Sequence, residues 1–540
     1  MKFIAKHKIW FVCVFLFIIG LIPRVLDITG NSAFIDEIWW LDRGQLLFNN
    51  LFVNFDLGNL QEGWWKFGDT VALGLPTAFL IGIFQKLFTV GASSYTLGIY
   101  DLLGASRLPL ALVGALTPAL IYWFMQKLGH SKIGLLAALM LALDPVHVGL
   151  SRWAHQDVML TFWMTFTVFS FFLYEKNQQK LWKNLSIAGF VLAFLTKYNA
   201  IILLPILGLW KIWKVWKDKG GIWETKKIAI AIFNRKYLWM LVWVLIFVML
   251  LWPGDWTVFP PYTFFKYFFT QLGVNSYFDH TTFYLGQITN DPAWHFYLVV
   301  LAIRLTEVTL LGFILGIYIW WKKRRGDMDL WTLLWIWMIV YIVVMSLANK
   351  KLEVRYVLPV YPVIMIFASW GLLGTLRRLL LATSKIHGLR LVGSDLFPLI
   401  LVVIFVSAYN LPLLNYYQPS YYLYYNQIAG GPEGAKRYTT VGVNEGLKDA
   451  ALYVKDNYPD EEKILLRGHK EPFLYYHKLK RENMFGQFEK HKDEIRVAVV
   501  ESHFVQRTTD NLRDRLSEWG TLVHTVNISG VDLVYIYERN

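Results

Sequence analysis

The chain has 540 residues, of which 56% are hydrophobic and 17% are charged. This composition places much of the chain in lipid, and 25 Trp, 29 Tyr and 38 Phe exclude a disordered protein. A net charge of +14 would suggest a nucleic-acid binder in a soluble protein, but here the basic residues stand between long apolar runs. The single cysteine, Cys13, excludes an intramolecular disulfide, a thiolate metal cluster and a redox pair.

Apolar runs along the chain approach the roughly 20 residues that a membrane-spanning helix needs. We predict eleven spans, near residues 8–28, 106–127, 132–150, 158–174, 184–196, 199–213, 237–252, 296–320, 329–348, 355–375 and 396–415. No small-residue cleavage site follows the first run, so we expect a retained span rather than a signal peptide. A further run, 71–92, is interrupted by polar and helix-breaking residues, and we interpret it as a helix lying along or dipping into the outer face.

Lys and Arg are concentrated in one set of loops, which predicts the orientation of the chain. If the N-terminus is inside and 71–92 does not cross, the inside segments hold 24 Lys/Arg against 6 Asp/Glu. The other side of the membrane domain holds 12 Lys/Arg against 15 Asp/Glu. We therefore predict a multi-pass membrane protein with a cytoplasmic N-terminus and a long first outer loop over about residues 28–105.

The composition changes after the last predicted span. Residues 416–540 carry 35 of the chain's 92 Asp, Glu, Lys and Arg residues. Helix-like stretches over 445–457 and 509–519 alternate with strand-like stretches over 463–466, 496–500 and 532–537. The predicted organisation is a membrane domain over 1–415 followed by an extracytoplasmic soluble α/β domain over 416–540.

Two adjacent carboxylates, Asp36 and Glu37, lie among aromatic residues just past the first span. A desolvated carboxylate with a like-charged neighbour has a raised proton affinity, which suits a general base. The alternative is that Asp36 or Asp42 caps a surface helix, which Trp39 and Trp40 anchor at the membrane interface.

Several cations lie at predicted outer helix ends, against the positive-inside bias. They are Arg107, Arg152, Lys350, Lys351 and Arg355. Arg and Lys hold phosphate through charge-assisted hydrogen bonds, so a lipid phosphate at the outer headgroup level is a natural ligand. The alternative is local pairing, of Arg152 with Asp157 and of Arg355 with Glu353.

Other polar residues carry weaker signals. Arg304 and Glu307 are three residues apart in one predicted span, so we expect them to pair on one helical face. His280 and His295 are too isolated to indicate a metal site. Residues 527–529, Asn-Ile-Ser, match a glycosylation sequon, but a three-residue match is weak.

In combination these motifs resemble the dolichyl-phosphate-mannose–protein mannosyltransferase-like glycosyltransferases, a family that includes aminoarabinose transferases. The resemblance covers most of the chain. It rests on the Asp36-Glu37 pair and on short motifs within residues 105–109, 144–157, 195–205, 353–359, 424–431 and 442–446. It implies a GT-C fold, which is a polytopic α-helical membrane architecture with a long first outer loop.

The resemblance also implies a function. The expected reaction is an inverting transfer of a sugar from a polyprenyl-phosphate donor to a hydroxyl of a protein, lipid or glycan acceptor at the outer membrane face. Asp36 is the expected general base, with Glu37 beside it orienting acceptor or sugar. The five cations, joined by Lys66 in the first loop, are expected to bind the donor phosphate. The expected members of the acceptor or sugar pocket are Trp39, Asp157, His280 and Tyr356. A divalent cation is the one cofactor that the resemblance suggests, with Glu62 as its candidate ligand.

Two other classes of protein share some of these features. A transporter or flippase of a lipid-linked glycan would use the same outer cations without chemistry, but transporters commonly show repeated halves. The long acidic first loop and the soluble tail make this chain asymmetric. A structural membrane protein explains the spans, but it gives no reason for carboxylates and cations to collect at one face.

Overall fold

The computed structural model describes residues 2–58, 74–89, 101–218, 234–252, 281–322, 328–348, 351–387, 396–461, 463–477, 481–484, 492–508 and 512–540. Four residues singled out from the sequence lie outside the described residues, and their roles stay predictions. They are Glu62, Lys66, His280 and Lys350.

Most of the described chain is helical. Up to residue 417 the helices are α1 (Lys2–Val25), α2 (Ile35–Phe52), α3 (Leu75–Phe88), α4 (Leu102–Lys127), α5 (Ser131–Ala142), α6 (Pro145–Ser151), α7 (Gln156–Asn177), α8 (Lys180–Thr196), α9 (Leu203–Asp218), α10 (Arg235–Leu251), α11 (Phe296–Arg304), α12 (Glu307–Lys322), α13 (Asp329–Leu347), α14 (Tyr361–His387) and α15 (Leu396–Tyr417). The 3-10 segments are Tyr198–Ile202, Val354–Val360, Tyr421–Leu423 and Gln427–Ala429. A hairpin of β1 (Thr282–Tyr284) and β2 (Gln287–Thr289) precedes α11.

Six helices in the described residues are long and apolar enough to cross a membrane. They are Leu102–Lys127, Gln156–Asn177, Tyr198–Asp218, Asp329–Leu347, Val354–Ala382 and Leu396–Tyr417. A seventh is obtained if α5 and α6, which are bent by 63°, form one broken span. The helices indicate a multi-pass membrane protein, and the prediction of eleven spans is not confirmed.

Several predicted spans are shorter or broken in the structure. α8 and α10 have 17 residues each, and the apolar part of α1 covers Ile9–Val25. The predicted run 132–150 is divided because Asp144 and Pro145 begin a new helix. The Asp144 carboxylate accepts a hydrogen bond from the His147 N–H at 2.8 Å, as a helix N-cap does.

The expected pairing of Arg304 with Glu307 is wrong, because the helix breaks between them. α11 ends at Arg304 and α12 begins at Glu307, so the two residues do not share one helical face. Arg304 Nη1 donates instead to the carbonyl oxygens of Tyr422 and Tyr424, at 2.8 and 2.6 Å. Glu307 accepts from the Gln427 N–H at 2.6 Å. Both charges therefore hold the segment that follows α15.

The interrupted run 71–92 contains α3, which packs across α2. Gly44 and Gly82 meet at the crossing, where a Cβ atom on Gly82 would lie 2.4 Å from the Gly44 carbonyl oxygen. Gln85 Nε2 donates to Ser106 Oγ at 2.9 Å and so ties α3 to α4. The residues that interrupt the apolar run thus make its close helix contacts. The predicted position of α3 along the outer face stays a prediction.

The last part of the chain forms a mixed sheet with the strand order β4-β3-β5-β7-β6. The strands are β3 (Lys463–Arg467), β4 (Arg481–Met484), β5 (Val497–Glu501), β6 (Gly520–Ile528) and β7 (Val531–Arg539). The helices around it are α16 (Gly431–Ala435), α17 (Leu447–Asn457), α18 (Lys470–Tyr476), α19 (Ser502–Gln506) and α20 (Leu512–Trp519). β3 is parallel to β4 and β5, whereas β7 is antiparallel to β5 and β6.

Three of these strands are predicted from the sequence. β3, β5 and β7 confirm the strand-like stretches, and all five residues of the central strand β5 are buried. The edge strand β6 is not predicted, because its apolar and polar residues are interspersed and mostly half-exposed or exposed. The domain boundary at residue 415 stays a prediction.

Candidate active site

The acidic pair at residues 36–37 begins α2, and its two carboxylates have different partners. Glu37 Oε1 accepts hydrogen bonds from Arg107 Nε at 2.9 Å and from the Ala154 N–H at 2.6 Å. Glu37 Oε2 accepts from Arg107 Nη2 at 2.6 Å and from the Phe34 N–H at 2.8 Å, which caps the helix. Glu37 is fully buried, and both of its carboxylate oxygens are occupied.

Arg107 is fully buried as well, and its remaining donors hold the loop before α2. Nη1 donates to Asn31 Oδ1 at 2.9 Å, and Nη2 donates to the Ser32 carbonyl oxygen at 2.9 Å. A bidentate arginine–carboxylate pair gives geometric precision as well as energy. Arg107 and Glu37 therefore bind each other, and both also bind the backbone that leads to Asp36.

Arg152 lies buried beside the end of α1. Its Nη1 donates to the carbonyl oxygens of Pro23 at 3.0 Å and Leu26 at 2.7 Å, and Nη2 donates to that of Asp27. The last carbonyl groups of a helix lack intrahelical donors, and Arg152 supplies them. Among the described residues, Arg152 is held by these carbonyls and does not form the pair with Asp157 that was the alternative to phosphate binding.

Asp36 belongs to a row of alternating charges. Arg355 Nη1 donates to Asp36 Oδ2 at 2.8 Å, and His155 Nε2 lies 3.4 Å from the same oxygen. On the other side of the ring, His155 Nδ1 lies 2.8 Å from Asp157 Oδ2, and Lys197 Nζ donates to Asp157 Oδ1 at 2.7 Å. We call these five residues the charge row. Its two aspartates approach opposite nitrogens of His155, so the three side chains do not converge on one point as metal ligands would.

The charge row sets the proton affinities at its centre. Burial raises the pKa of Asp36, but the opposite effect of Arg355 and His155 is larger. The net pKa of Asp36 therefore lies well below the ordinary range. Burial lowers the pKa of His155, but the opposite effect of the facing Asp157 and Asp36 carboxylates is larger. The net pKa of His155 is therefore raised. The prediction that Glu37 raises the proton affinity of Asp36 is therefore wrong. Glu37 faces Arg107, and the residue that faces Asp36 is the cation Arg355.

Asp36 is the most accessible member of the charge row. Its side chain is 26% exposed, whereas those of Asp157 and Arg355 are 4% and 8% exposed. Lys197 is 9% exposed. An incoming group would thus reach Asp36 first and would meet Arg355 directly behind it.

Buried aromatic rings pack against the charge row. Phe34 stacks on Trp153 with the ring centroids 4.3 Å apart, and Trp40 meets His155 edge to face at 6.0 Å. The Arg355 guanidinium lies 4.8 Å from the centroid of Phe34. Such rings exclude water, which strengthens the electrostatic interactions inside the site.

Two of the predicted phosphate ligands differ in how they are held. Arg355 forms the local pair that was the alternative to phosphate binding, with its Nε 3.4 Å from Glu353 Oε2, in addition to its contact with Asp36. Lys351 is buried, and its Nζ donates to Asp291 Oδ1 at 2.8 Å. The Asp291 side chain is 81% exposed. An ion pair with an exposed carboxylate is weak. Of these two cations, Lys351 would therefore more easily leave its present partner for another anion.

The predicted pocket residues are only partly brought together. Tyr356 lies against the charge row, with its ring centroid 4.8 Å from Lys197 Nζ. Trp39 on α2 is 36% exposed. The N-cap of α2 is Phe34, so the alternative that Asp36 or Asp42 caps this helix is not met.

Sequence reasoning misses His155 and Lys197 as members of the site. Both stand in motifs that carry the family resemblance, residues 144–157 and 195–205. Lys197 is also a cation at the end of a predicted span, which is the criterion that selected Arg107 and Arg152. This signal could have found Lys197, whereas the position of His155 between Asp36 and Asp157 depends on folding.

The last part of the chain covers the loop that leads to Asp36. Asn444 Oδ1 accepts from the Ile35 N–H at 3.0 Å, and Tyr476 Oη accepts from the Ala33 N–H at 2.9 Å. The Lys448 N–H donates to Ser32 Oγ at 3.0 Å. These contacts hold the backbone immediately before α2, which Arg107 also contacts.

Comparisons with known proteins agree with this architecture. Residues 87–269 match the family model described as dolichyl-phosphate-mannose-protein mannosyltransferase. A search of curated proteins gives no match. Among solved structures, the chain is similar to the archaeal oligosaccharyltransferase AglB from Archaeoglobus fulgidus in complex with an inhibitory peptide and a dolichol-phosphate. The two are 13% identical with a TM-score of 0.51, over 99% of this chain and 74% of AglB.

Two further solved structures show weaker likeness. One is ArnT from Cupriavidus metallidurans bound to undecaprenyl phosphate, at 14% identity and a TM-score of 0.46 over 98% of each chain. The other is the S. cerevisiae protein O-mannosyltransferase Pmt1-Pmt2 complex bound to the sugar donor, at 17% identity and a TM-score of 0.35. That match covers 48% of this chain and 34% of the other.

At these identities the likeness to AglB shows the fold. The segment that matches the family model contains Arg107, Arg152, His155, Asp157 and Lys197. Asp36 and Arg355 lie outside it. The chain thus has a GT-C fold, and its residues 87–269 carry the resemblance to the dolichyl-phosphate-mannose-protein mannosyltransferase family that the sequence motifs indicate.

Proposed function

We propose that the protein is an inverting glycosyltransferase that moves a sugar from a polyprenyl-phosphate donor to a hydroxyl group of a protein, lipid or glycan acceptor. The observation that carries this proposal is the contact of Arg355 with Asp36, which places a cation suited to phosphate beside an accessible carboxylate. The family match over residues 87–269 supports it. AglB, whose fold is similar, was solved with a dolichol-phosphate.

The proposed reaction is a single displacement. The acceptor oxygen bonds to the anomeric carbon of the sugar while the bond from that carbon to the phosphate oxygen breaks. Asp36 takes the hydroxyl proton, and the lipid phosphate leaves with one more negative charge than it had in the donor. Arg355 and Lys351 neutralise that charge, so the leaving group needs no strong acid.

Arg355 has a second effect on this reaction. While it faces Asp36, it holds the pKa of the carboxyl far below the ordinary range, which makes Asp36 a weak base. A donor phosphate near Arg355 shares its positive charge and raises the proton affinity of Asp36. The base thus becomes effective only when the donor is bound.

Glu37, Arg107 and Arg152 have positioning roles in this proposal. Glu37 and Arg107 fix the first turn of α2, and Arg152 fixes the end of α1. Both elements lead into the loop before Asp36. The sequence suggests direct substrate contacts for these three residues, and the proposal gives them positioning roles instead.

The orientation of the chain belongs to the same proposal. The excess of Lys and Arg in one set of loops supports a cytoplasmic N-terminus, with the charge row on the outer side. Residues 416–540 would then form an extracytoplasmic domain over the membrane domain of residues 1–415. The hydrogen bonds of Asn444 and Tyr476 to the loop before α2 support a shared location of the tail and the charge row.

The test is a transfer assay with purified full-length protein in lipid vesicles. A panel of radiolabelled polyprenyl-phosphate sugars is supplied with peptide, lipid and glycan acceptors. We expect labelled product with one donor class and at least about 100-fold lower turnover for Asp36→Asn. Asp42→Asn is the matched control, because Asp42 is an exposed carboxylate on the same helix.

The outcomes of this assay separate the proposal from its alternative. Equal turnover of Asp36→Asn and wild type would remove Asp36 from the chemistry. Movement of labelled lipid across the vesicle membrane, with no new glycosidic bond for any donor, would instead indicate a flippase.

A further inference from the structure

We propose that the tail of the chain contains a zinc site formed by His469, Glu501 and His503. One nitrogen of each histidine and one carboxylate oxygen of Glu501 lie within 4.8 Å of one another. In the part of the chain that the structure describes, this is the one group of three His, Cys, Asp or Glu side chains whose donor atoms converge in this way. The site is separate from the charge row and shares no residue with it.

The topology of the sheet brings the three ligands together. β3 and β5 are parallel neighbours, with Arg467 opposite Val500, so their carboxyl ends lie at the same edge. His469 follows β3, Glu501 is the last residue of β5, and His503 is the second residue of the helix after it. The carboxyl edge of parallel strands is where ligands of α/β sheets commonly bind.

The two distances from the histidines to the Glu501 carboxylate are close to those of a tetrahedral metal site. His469 Nδ1 lies 3.3 Å from Glu501 Oε2, and His503 Nδ1 lies 3.7 Å from Glu501 Oε1. Ligand atoms about 2.0–2.1 Å from Zn²⁺ at tetrahedral angles are separated by roughly 3.3 Å. Two histidines and one carboxylate are a common zinc ligand set, and they leave a fourth position for water.

The burial of these side chains points to a ligand. His503 and Glu501 are 2% and 1% exposed. A buried carboxylate is costly without a cation beside it, and a metal ion bound by Glu501 and the two imidazoles would offset that cost. Gly468 leaves room for the carboxylate, since a Cβ atom there would lie 2.8 Å from Glu501 Oε2.

The site connects to the loop before Asp36 through one residue. Asn444 Nδ2 lies 2.6 Å from His469 Nδ1 and donates to Glu501 Oε1 at 3.3 Å, whereas its Oδ1 accepts from Ile35. A zinc ion on His469 would take the place of the Asn444 amide at that nitrogen. The ion would thus stabilise the part of the tail that contacts the loop before Asp36, and its role would be structural.

The experiment uses full-length protein in detergent, stripped with a chelator and titrated with ZnCl2. We expect one equivalent of Zn²⁺ to bind with micromolar or tighter affinity and to raise the midpoint of thermal unfolding. His469→Gln and His503→Gln should each weaken zinc binding at least about 10-fold. His524→Gln is the matched control, because His524 lies in the same sheet but stacks on Tyr453. MgCl2 should cause no shift in the midpoint.

Two results would overturn the proposal. One is wild-type protein that binds no Zn²⁺. The other is equal zinc binding by wild type, His469→Gln and His503→Gln, which would place the ion elsewhere. If the variants fail to fold, the wild-type protein loaded with Co²⁺ decides. Absorption bands of a tetrahedral site with nitrogen ligands support the proposal, whereas the weak bands of an octahedral all-oxygen site contradict it.

Discussion

Arg355 Nη1 donates a 2.8 Å hydrogen bond to Asp36 Oδ2 and so joins two residues that are 319 positions apart. Each residue also has a second polar neighbour, Glu353 for Arg355 and His155 for Asp36. The contact is therefore part of a network in which each charge is shared. A donor phosphate that enters this network competes with Asp36 for Arg355, and the first two predictions follow from this competition.

Replacing Asp36 by Asn should separate donor binding from turnover. The variant loses the base, but Arg355 no longer shares its charge with a carboxylate, and the repulsion between Asp36 and the donor phosphate is removed. We expect the Kd for the polyprenyl-phosphate donor to be equal to or lower than that of wild type, while kcat falls about 100-fold or more. Titration of the detergent-solubilised protein with donor measures the Kd. A large loss of donor affinity would show that Asp36 holds the donor.

Replacing Arg355 should lower kcat/KM for the donor, because Arg355 is the proposed ligand of the donor phosphate. Arg355→Lys keeps the charge but loses the planar guanidinium, and Arg355→Met loses both. Because hydrogen bonds to charged groups contribute about 1.5–3 kcal/mol, we expect kcat/KM to fall roughly 10-fold to 100-fold in Arg355→Met and less in Arg355→Lys. Steady-state kinetics with varied donor checks this. Equal kcat/KM in Arg355→Met and wild type would exclude Arg355 as a phosphate ligand.

Replacing Glu37 by Gln should destabilise the fold. The change leaves Arg107 as a buried charge without its partner, a loss that costs about 3–5 kcal/mol in comparable pairs. We expect a clear fall in the midpoint of thermal unfolding. Glu433→Gln is the control, because the Glu433–Lys436 pair has a carboxylate that is 66% exposed and should contribute about 0–1 kcal/mol. Similar midpoints for the two variants would contradict the positioning role of Glu37.

The pH dependence of stability should report His155 and Asp36. The pKa of His155 is raised from 6.5, so its contribution is complete below pH 6.5 and is lost as the pH rises through the higher folded-state pKa. The pKa of Asp36 is lowered from 3.8, so its contribution is complete above pH 3.8 and is lost as the pH falls through the lower folded-state pKa. Between these two pH values both contributions are complete.

The measurement is the difference in unfolding midpoint between wild type and His155→Gln across the pH range. We expect this difference to be largest between about pH 4 and 6.5 and to shrink above that range as His155 loses its proton. A difference that stays constant to pH 9 would show that His155 is neutral in the folded protein.

Replacing Tyr476 by Phe tests the contact of the tail with the loop before α2. The variant leaves the Ala33 N–H without its acceptor, and a buried unsatisfied donor costs about 1–3 kcal/mol. We expect a lower unfolding midpoint and a several-fold lower kcat, because Asp36 is held less firmly. Tyr416→Phe removes a hydroxyl from an exposed hydrogen bond to Ser529 and should change neither. Unchanged kcat in Tyr476→Phe would show that the tail does not position the loop.

The sequence by itself identifies a multi-pass membrane protein, and it predicts Asp36 as the base. Apolar runs identify membrane helices because hydropathy is a property of each segment, summed along the chain. The strands β3, β5 and β7 are predicted for a similar reason, since buried strands are short apolar runs. The number of spans is not determined, because single residues such as Asp144 and Pro145 divide an apolar run while lowering its mean hydropathy only slightly.

Only the tertiary structure decides what the two adjacent carboxylates do. Neighbouring residues on a helix point about 100° apart, so Asp36 and Glu37 face different parts of the molecule. Glu37 forms a buried ion pair with Arg107, whereas Asp36 pairs with Arg355 and stays partly exposed. The sequence predicts all four charges, but which anion meets which cation depends on how distant helices pack. Charge pairing acts through distances in space, and those are decided by the fold.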